Sequence, residues 1–269
     1  MKTKSLSIFL VALFVVGMTL GAEEGNNENK EDENFEYKKI GDEHANEADF
    51  SLKIILIGNS NVGKSALITK ICKNTFPEGY SATVGFEDSN LIFRIVSGEN
   101  KLGPVLKYQI CDCCGQEIYR NLIISLSKNF NVFLLAYDVT DDENFNNIES
   151  WVNDLQSNNT DKTIHFVLIG TKIDLKGNRK VTEEAGKEFA KENGMKFVEV
   201  SAKTGAGIKD LENILAKIIY EEFMKYKKEK EVEEKKKEED DSEDDFIELK
   251  KPTRSSFLCD CCKKICENC

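Results

Sequence analysis

Apolar and polar residues follow a regular pattern only from about residue 50 to residue 226. Short apolar runs bounded by turn residues predict buried strands, which we place at residues 52–57, 131–137, 165–169 and 196–200. Apolar residues at helical spacing follow these runs and predict helices. The first helix ends at residue 72, and the others lie at residues 143–155, 183–192 and 208–226. A turn-rich segment joins two further β-type runs, so residues 91–111 predict a hairpin.

This order of elements indicates the fold class. Strands that alternate with helices lie mostly parallel, and the helices cover the two faces of the sheet. We therefore expect an α/β domain at residues 50–226, with a mostly parallel six-stranded sheet and helices on both faces.

The segments on either side of this domain are rich in Glu, Asp and Lys and contain few apolar residues. Such segments bury too little surface to offset the entropy lost on ordering. We expect an acidic disordered linker at residues 23–49 and a charged disordered tail at residues 227–269. The first part of that tail also has the composition of a frayed helix extension, because Glu and Lys are good helix formers.

The first 22 residues have the layout of a secretory signal peptide. Lys2 and Lys4 precede an apolar run at residues 6–20, and the small residues Gly21 and Ala22 follow it. The run is shorter than the roughly 20 apolar residues of a spanning helix. A working signal or anchor would carry the domain into the secretory lumen; a segment with another use is the alternative.

The net charge and the spacing of the cysteines indicate which kinds of partner and which cell compartment suit this chain. A net charge of -11 over 269 residues argues against nucleic acid as the main partner, because a phosphate backbone requires a basic surface. Three of the nine cysteines cluster at residues 111–114 and five lie at residues 259–269. This spacing is unlike a disulfide framework and favours a cytosolic domain with a chemically distinct tail.

A glycine-rich motif lies between the first predicted strand and the first predicted helix. It fits the phosphate-binding loop pattern and reads Gly58-Asn59-Ser60-Asn61-Val62-Gly63-Lys64-Ser65. Backbone N–H groups of this loop and of the helix N-terminus, through Ala66, would surround a phosphate. Lys64 would reach the β- and γ-phosphates, and the Ser65 hydroxyl would ligate Mg²⁺. A glycine-rich turn that only capped a helix would not require this Lys-Ser pair.

Two later segments follow strands and should reach the same edge of the sheet, where ligands of open α/β sheets bind. They are Thr171-Lys172-Ile173-Asp174 and Ser201-Ala202-Lys203. With these segments in order after a phosphate loop, the chain resembles small GTPases of the Ras superfamily, which implies that the α/β domain is a P-loop NTPase G domain. The resemblance implies that Asp174 accepts two hydrogen bonds from guanine, that Lys172 flanks the base and that the Ala202 N–H meets the guanine oxygen. Thr171 stands where Asn is the commonest family residue, as it does in Rho-type members.

The resemblance extends to two loops expected to touch the phosphates. In the first loop, Phe76 would pack against the nucleotide, Tyr80 would lie over the phosphates and Thr83 would ligate Mg²⁺. In the second loop the resemblance assigns water-mediated Mg²⁺ binding to Asp112, a γ-phosphate contact to Gly115, and positioning of the attacking water to Gln116, supported by Lys64. Cys111, Cys113 and Cys114 replace the family's Trp, Thr and Ala; small cysteines can pack as hydrophobes. A zinc site there lacks a convincing fourth ligand.

Further motifs indicate the Rab-like branch. They are Thr83-Val84-Gly85, Ala136-Tyr137-Asp138-Val139-Thr140-Asp141 and Phe145-Asn146-Asn147-Ile148-Glu149-Ser150-Trp151. The resemblance implies a GTPase switch in vesicle traffic that works with an exchange factor, a GTPase-activating protein and effectors. The alternative is a guanine-nucleotide-binding scaffold that hardly cycles, because cysteines alter its second loop.

The cysteine-rich tail suggests how such a switch would reach a membrane. Rab-like chains end in cysteines that receive geranylgeranyl groups, and we expect lipidation of Cys269 with a neighbour, Cys266. The end of the chain is a poor C-a-a-X box, because neither of its middle residues is aliphatic. A small metal-binding knot, disulfides and an unmodified tail remain the alternatives. Lipidation predicts the cytosolic face of an endomembrane, whereas a working signal peptide predicts the lumen.

Overall fold

The computed structural model describes residues 35–77, 79, 86–97, 101–113, 115, 119–160 and 162–248. All the secondary structure in these ranges belongs to one unit, which begins at Glu36. Its centre is a seven-stranded sheet in the order β1-β3-β4-β2-β5-β6-β7. The strands are β1 Glu36–Ile40, β2 Phe50–Ile57, β3 Phe86–Ser97, β4 Lys101–Cys113, β5 Val132–Asp138, β6 His165–Thr171 and β7 Lys196–Glu199.

Five neighbouring strands of this sheet, from β4 to β7 in the sheet order, run parallel. The β1–β3 and β3–β4 pairs are antiparallel, and the predicted hairpin is therefore present with longer strands than expected. Every residue of β5 is buried, as expected for a central strand that is covered on its two faces. The predicted α/β class is confirmed, and the sheet has one strand more than predicted.

Helices cover the two faces of the sheet. They are α1 Lys64–Lys73, α2 Arg120–Leu126, α3 Asp142–Asn146, α4 Ile148–Asn158, α5 Glu183–Glu192 and α6 Ile208–Glu248. One face packs against α2, α4 and α5 in an apolar cluster that includes Ile57, Phe133 and Trp151. On the other face α1 and α6 cover β4, where the Tyr108 hydroxyl donates to the Leu215 carbonyl oxygen at 2.9 Å. The predicted helix at residues 143–155 is divided into α3 and α4 at Asn147.

The added strand β1 corrects the prediction that residues 23–49 are a disordered linker. Residues Glu36–Ile40 pair with β3 and form the edge of the sheet, and a 3₁₀ helix, Asp42–Glu47, follows. The Asp49 side chain then accepts a hydrogen bond from the Val105 N–H at 2.8 Å. Most of the linker that precedes these elements lies outside the described residues. The described secondary structure therefore begins about 14 residues before the predicted boundary at residue 50.

Side chains on one face of β1 hold the strand to the helices behind the sheet. The Lys39 ammonium forms an ion pair with buried Glu212 of α6 and also donates to the Ile71 carbonyl of α1 at 2.8 Å. The Tyr37 hydroxyl donates to the Asn213 side chain of α6 at 2.5 Å. Burial of these polar groups is tolerated because each has a partner. The extra strand is thus fixed by contacts with α1 and α6 as well as by backbone pairing.

Helix α6 is longer than the predicted helix at residues 208–226. It reaches Glu248, and this corrects the first part of the predicted disordered tail. Beyond Tyr226 the helix carries exposed side chains as far as residue 236, and this part is rich in Glu and Lys. These residues favour helix through intrinsic propensity and through charge pairs three or four positions apart. Among the residues described, none of the helices combines the length and apolarity needed to cross a bilayer.

Replacing Lys39 with Met should lower the free energy of unfolding by about 1–3 kcal/mol, because a buried charged acceptor loses its closest partner. Among the ion pairs of the described residues, Glu212 would keep the more distant one with the Lys209 ammonium at 3.6 Å. Urea denaturation of the full chain measures the change. Lys38→Met on the exposed face of the same strand is the matched control and should change stability by less than about 0.5 kcal/mol. Equal losses in the two variants would contradict the proposed anchoring of β1.

Candidate functional site

A cavity of about 620 Å³ opens at the carboxyl ends of the parallel strands. Segments that follow β2, β6 and β7 line it together with the end of β4, as expected at this edge of an α/β sheet. Most of the residues predicted to bind nucleotide lie around it: Ser60, Asn61, Val62, Gly63, Lys64, Ser65, Ala66, Phe76, Gly115, Thr171, Lys172, Asp174, Ala202 and Lys203. One cavity thus brings together motifs separated by more than a hundred residues in the sequence.

The loop between β2 and α1 is shaped to present backbone N–H groups to this cavity. Gly63 has a backbone φ of 95° at the N-cap of α1, a conformation that residues with a Cβ rarely adopt. Asn61 also has a positive φ, 65°, which asparagine tolerates better than most residues. The first residues of α1, Lys64, Ser65 and Ala66, line the cavity, where the N–H groups of a helix N-terminus and the helix dipole favour an anion.

The positive charge of this loop is held at its centre. Lys64 is buried, and its Nζ donates to the carbonyl oxygens of Gly58 at 2.9 Å and Asn59 at 3.0 Å. Gly115 approaches the same place so closely that a Cβ on it would overlap the Lys64 ammonium and the Asn59 carbonyl oxygen. Only glycine fits at position 115 beside the loop. An ammonium ion next to a helix N-terminus is a suitable receptor for phosphate.

The chemistry of the available oxygen donors fits a hard divalent cation beside this loop. Ser65 supplies a hydroxyl at the start of α1, and Asp112 supplies a buried carboxylate at the end of β4. Magnesium is commonly held by one or two protein ligands together with substrate phosphates. In the part of the chain that the structure describes, no three His, Cys, Asp or Glu side chains gather into a metal site of their own. Thr83, the third expected magnesium ligand, lies outside that part.

At the other end of the cavity, side chains orient one another around Asp174. Ser201 is fully buried and does not line the cavity; its hydroxyl donates to the Asp174 carboxylate at 2.7 Å. The buried Thr171 hydroxyl lies 2.7 Å from the Val62 carbonyl oxygen and 2.9 Å from that of Tyr137. Thr171 thus links β6 to the phosphate loop and to β5. Asp174 is left as an oriented carboxylate acceptor at the cavity wall.

A Ras family model matches residues 53–221, which are more than half of the chain. The chain belongs to the Ras family. Ras-related protein RIC1 from Oryza sativa subsp. japonica is 37% identical over 162 residues, which cover 60% of this chain and 77% of that protein. GTP-binding protein YPT1 from Saccharomyces cerevisiae is 36% identical over 175 residues, covering 65% and 82%. Ras-related protein Rab-30 from Homo sapiens is 36% identical over 163 residues, covering 61% and 77%. This Ras-family chain is a Rab-like small GTPase, and hence a GTP hydrolase by family.

Two cysteines at the end of β4, Cys111 and Cys113, stand where the resemblance to its family predicts Trp and Thr. Cys113 is buried at the cavity, where its thiol donates to the Leu56 carbonyl oxygen at 2.9 Å. Burial and the neighbouring carboxylates of Asp88 and Asp112 raise the pKa of the Cys111 thiol to about 11. A thiol with such a pKa remains protonated near neutral pH and packs as a small hydrophobe. The two cysteines are therefore compatible with an apolar strand end.

Several predicted residues of this GTPase lie outside the described residues, and their assigned roles stay predictions. These are Tyr80, Thr83, Cys114, Gln116, Cys266 and Cys269. The structure also adds cavity-lining residues that no motif signals, among them Pro77, Gly79, Glu87 and Leu175. The Asn59 side chain bonds with Asn144 of α3, and the predicted contact of Asn59 with nucleotide stays a prediction.

Asp138 holds the Lys172 ammonium at the Asp174 end of the cavity. Lys172 has a positive φ of 62°, and its Nζ lies 2.7 Å from the Asp138 carboxylate. Burial alone would raise the pKa of Asp138, but hydrogen bonds from Lys172 and Thr140 outweigh it and lower that pKa. Because the folded-state pKa is lowered, this contribution to stability is complete above the ordinary carboxyl pKa of about 4 and is lost as the pH falls through the lowered value.

Asp138→Asn should therefore lower the free energy of unfolding at pH 7 by about 1–2 kcal/mol. Its difference from the parent chain should shrink as the pH falls below about 4. Urea denaturation at a series of pH values measures both effects. Asp142→Asn removes the exposed ion pair with Lys180 and should have little effect at any pH. An Asp138→Asn difference that does not depend on pH would show that the ionised carboxylate is not what stabilises the domain.

Proposed function

We propose that this Rab-like GTPase binds GDP and GTP with magnesium, hydrolyses GTP and acts as a switch in vesicle traffic. The observation that carries the proposal is the single cavity that joins the Lys64 loop at one end to the Asp174 and Ala202 segments at the other. A phosphate receptor and an oriented carboxylate in one cavity match the two ends of a nucleotide. A phosphate site alone would not distinguish guanine from adenine.

The base end supports selection of guanine. Asp174 would accept hydrogen bonds from the two N–H groups on one edge of guanine, and its bond from Ser201 leaves it oriented for this task. Adenine offers no such pair of donors, so the carboxylate would be desolvated without compensation. The Ala202 N–H would meet the guanine oxygen, and the Lys172 stem, held by Asp138, would flank the ring.

The phosphate end supports catalysis by charge stabilisation. Lys64 and the N-terminus of α1 would neutralise the charge that spreads over the transferred phosphoryl group. Magnesium held by Ser65 and Asp112 would supply further positive charge to the phosphate oxygens. Gln116 would orient the attacking water, and the neighbouring Gly115 already packs against the phosphate loop. The described residues that line the cavity include no arginine, so we infer that rapid hydrolysis requires an activating protein.

A non-cycling scaffold is the second candidate function, and the cysteines of the second loop are the observation that favours it. Cys113 lines the cavity where the family has a different residue. A loop altered in this way could hold nucleotide without rearranging when GTP is hydrolysed. The two candidates agree on binding and differ on turnover.

Binding of guanine nucleotides with magnesium should be much tighter than binding of ATP. Displacement of a fluorescent GDP analogue from the full chain, with GTP, GDP and ATP as competitors, measures this selectivity. Lys64→Ala should weaken binding through the phosphates, and Asp174→Ala should weaken it through the base by about tenfold or more. Lys196→Ala, at an exposed position of β7, is the control and should bind like the parent. Lys203→Ala would be a poorer control, because Lys203 lines the cavity. Equal competition by ATP would exclude guanine selectivity.

Gln116→Leu should slow single-turnover GTP hydrolysis by about tenfold or more and leave GTP affinity nearly unchanged. The glutamine is proposed to act on the attacking water in the transition state and not on the bound ground state. Gln109→Leu, at an exposed position of β4, is the matched control and should hydrolyse GTP at the parent rate. Hydrolysis at the parent rate in Gln116→Leu would remove the assigned role, and a parent that hydrolyses no GTP would favour the scaffold.

We further propose that lipid groups on Cys266 and Cys269 hold the GTPase at the cytosolic face of an endomembrane. A single lipid chain binds membranes only weakly, so two modified cysteines would be required for stable attachment. Exchange factor, activating protein and effectors would meet it there.

In eukaryotic cells that express the full chain, a prenyl analogue should label the parent. Cys266→Ser/Cys269→Ser should lose the label, whereas Cys259→Ser should keep it. An unlabelled product cleaved near Ala22, with oxidised tail cysteines, would instead support the secretory lumen.

A further inference from the structure

The side chain of Asn59 connects the phosphate loop to the start of α3. Its amide nitrogen donates directly to the side-chain oxygen of Asn144. The Asn144 amide nitrogen in turn donates to the Asp141 carboxylate at 2.8 Å. Asp141 is the N-cap of α3 and also accepts from the backbone N–H of Glu143 at 3.1 Å. Three polar side chains therefore link the loop to a capped helix N-terminus.

The direction of this network is set by the carboxylate at its end. A carboxylate accepts hydrogen bonds and does not donate them, so Asn144 must present its NH₂ group to Asp141. Its oxygen must then face Asn59, and Asn59 must present its own NH₂ group. Each amide has one orientation that satisfies its neighbours.

Asn59 occupies a position that affects two parts of the phosphate site. Its backbone carbonyl oxygen accepts the hydrogen bond from Lys64 Nζ at 3.0 Å. The same oxygen is one of the atoms against which Gly115 packs without room for a Cβ. A change in the backbone of Asn59 would therefore move this oxygen. It would shift both the Lys64 ammonium, which is proposed to reach the phosphates, and the surface that Gly115 contacts.

We propose that Asn144 is a positioning residue of the nucleotide site, and that it acts through Asn59 on Lys64 and Gly115. This inference rests on the proposed function, because its consequences are slow release of bound GDP and a productive phosphate geometry. Asn144 itself touches neither the cavity nor the lysine. It holds the loop by a directional pair of hydrogen bonds anchored on Asp141.

Reversing the direction of the network provides a sharp test. Asn59→Asp places a second acceptor against the Asn144 oxygen and should break the link. Asp141→Asn supplies a donor at the far end, so the amides can turn over and bond in the opposite direction. The double variant Asn59→Asp/Asp141→Asn should therefore form the reversed network, with Asn144 donating to position 59 and accepting from position 141.

Release of a fluorescent GDP analogue and single-turnover GTP hydrolysis are measured on the full chain with magnesium. Asn144→Ala and Asn59→Asp should each release GDP about fivefold faster, the change expected for one lost hydrogen bond. Both should also hydrolyse GTP more slowly. Asp141→Asn should release GDP at about the parent rate, and the double variant should release GDP more slowly than Asn59→Asp. Asn146→Ala, an exposed position on the same helix, is the matched control and should match the parent.

A variant that loses buried hydrogen bonds away from the nucleotide site completes the test. Asn159 is buried at the end of α4, where its amide nitrogen donates to Ser127 Oγ and to the Leu155 carbonyl, each at 2.8 Å. Asn159→Ala should lower the melting temperature yet leave GDP release unchanged. Parent-like release in Asn144→Ala, or a double variant no better than Asn59→Asp, would overturn the inference. A parent chain that binds no guanine nucleotide would instead overturn the proposed function beneath it.

Discussion

The buried ammonium of Lys64 is the constraint around which the site is built. A cation removed from water is costly unless oxygen atoms surround it, and the loop supplies two of its own carbonyl groups, from Gly58 and Asn59. To place those oxygens the backbone has to fold back over the start of α1, which requires the positive φ of Gly63. The carbonyl groups carry only partial negative charge. A phosphate beside the ammonium would supply the remaining negative charge. Burial of Lys64 would therefore favour binding of an anion at this place.

Patterns within short segments predicted most of the fold. The continuous apolar run of β5 and the helical spacing in α5 are local signals, and the elements lie close to their expected places. Strand β1 was missed because Glu36–Ile40 alternates weakly inside an acidic region. What holds this strand is distant in sequence, since Tyr37 bonds to Asn213, 176 residues away. A contact of that kind leaves no pattern along the chain.

The site was predictable where its residues form motifs. The phosphate loop and the Asp174 segment were located by spacing, and the structure places them around one cavity. Motif reasoning did not show which side chains face the cavity and which support it from behind. Ser201 proved to orient Asp174, and Asn59 to bond with Asn144, 85 residues away. Such supporting contacts depend on how α3 and the loop meet, which only the folded backbone decides.

Strand β1 also changes what the rim of the sheet offers to other molecules. Without it, the outer edge would be the twelve-residue strand β3, a long row of backbone groups able to pair with a neighbouring chain. With it, residues 92–96 of β3 are covered, and the rim beside them becomes a five-residue strand that bears Lys38 and Lys39. Short edges with lysines resist edge-to-edge association. The segment before the matched family region thus leaves a shorter uncovered length of β3 for edge-to-edge pairing.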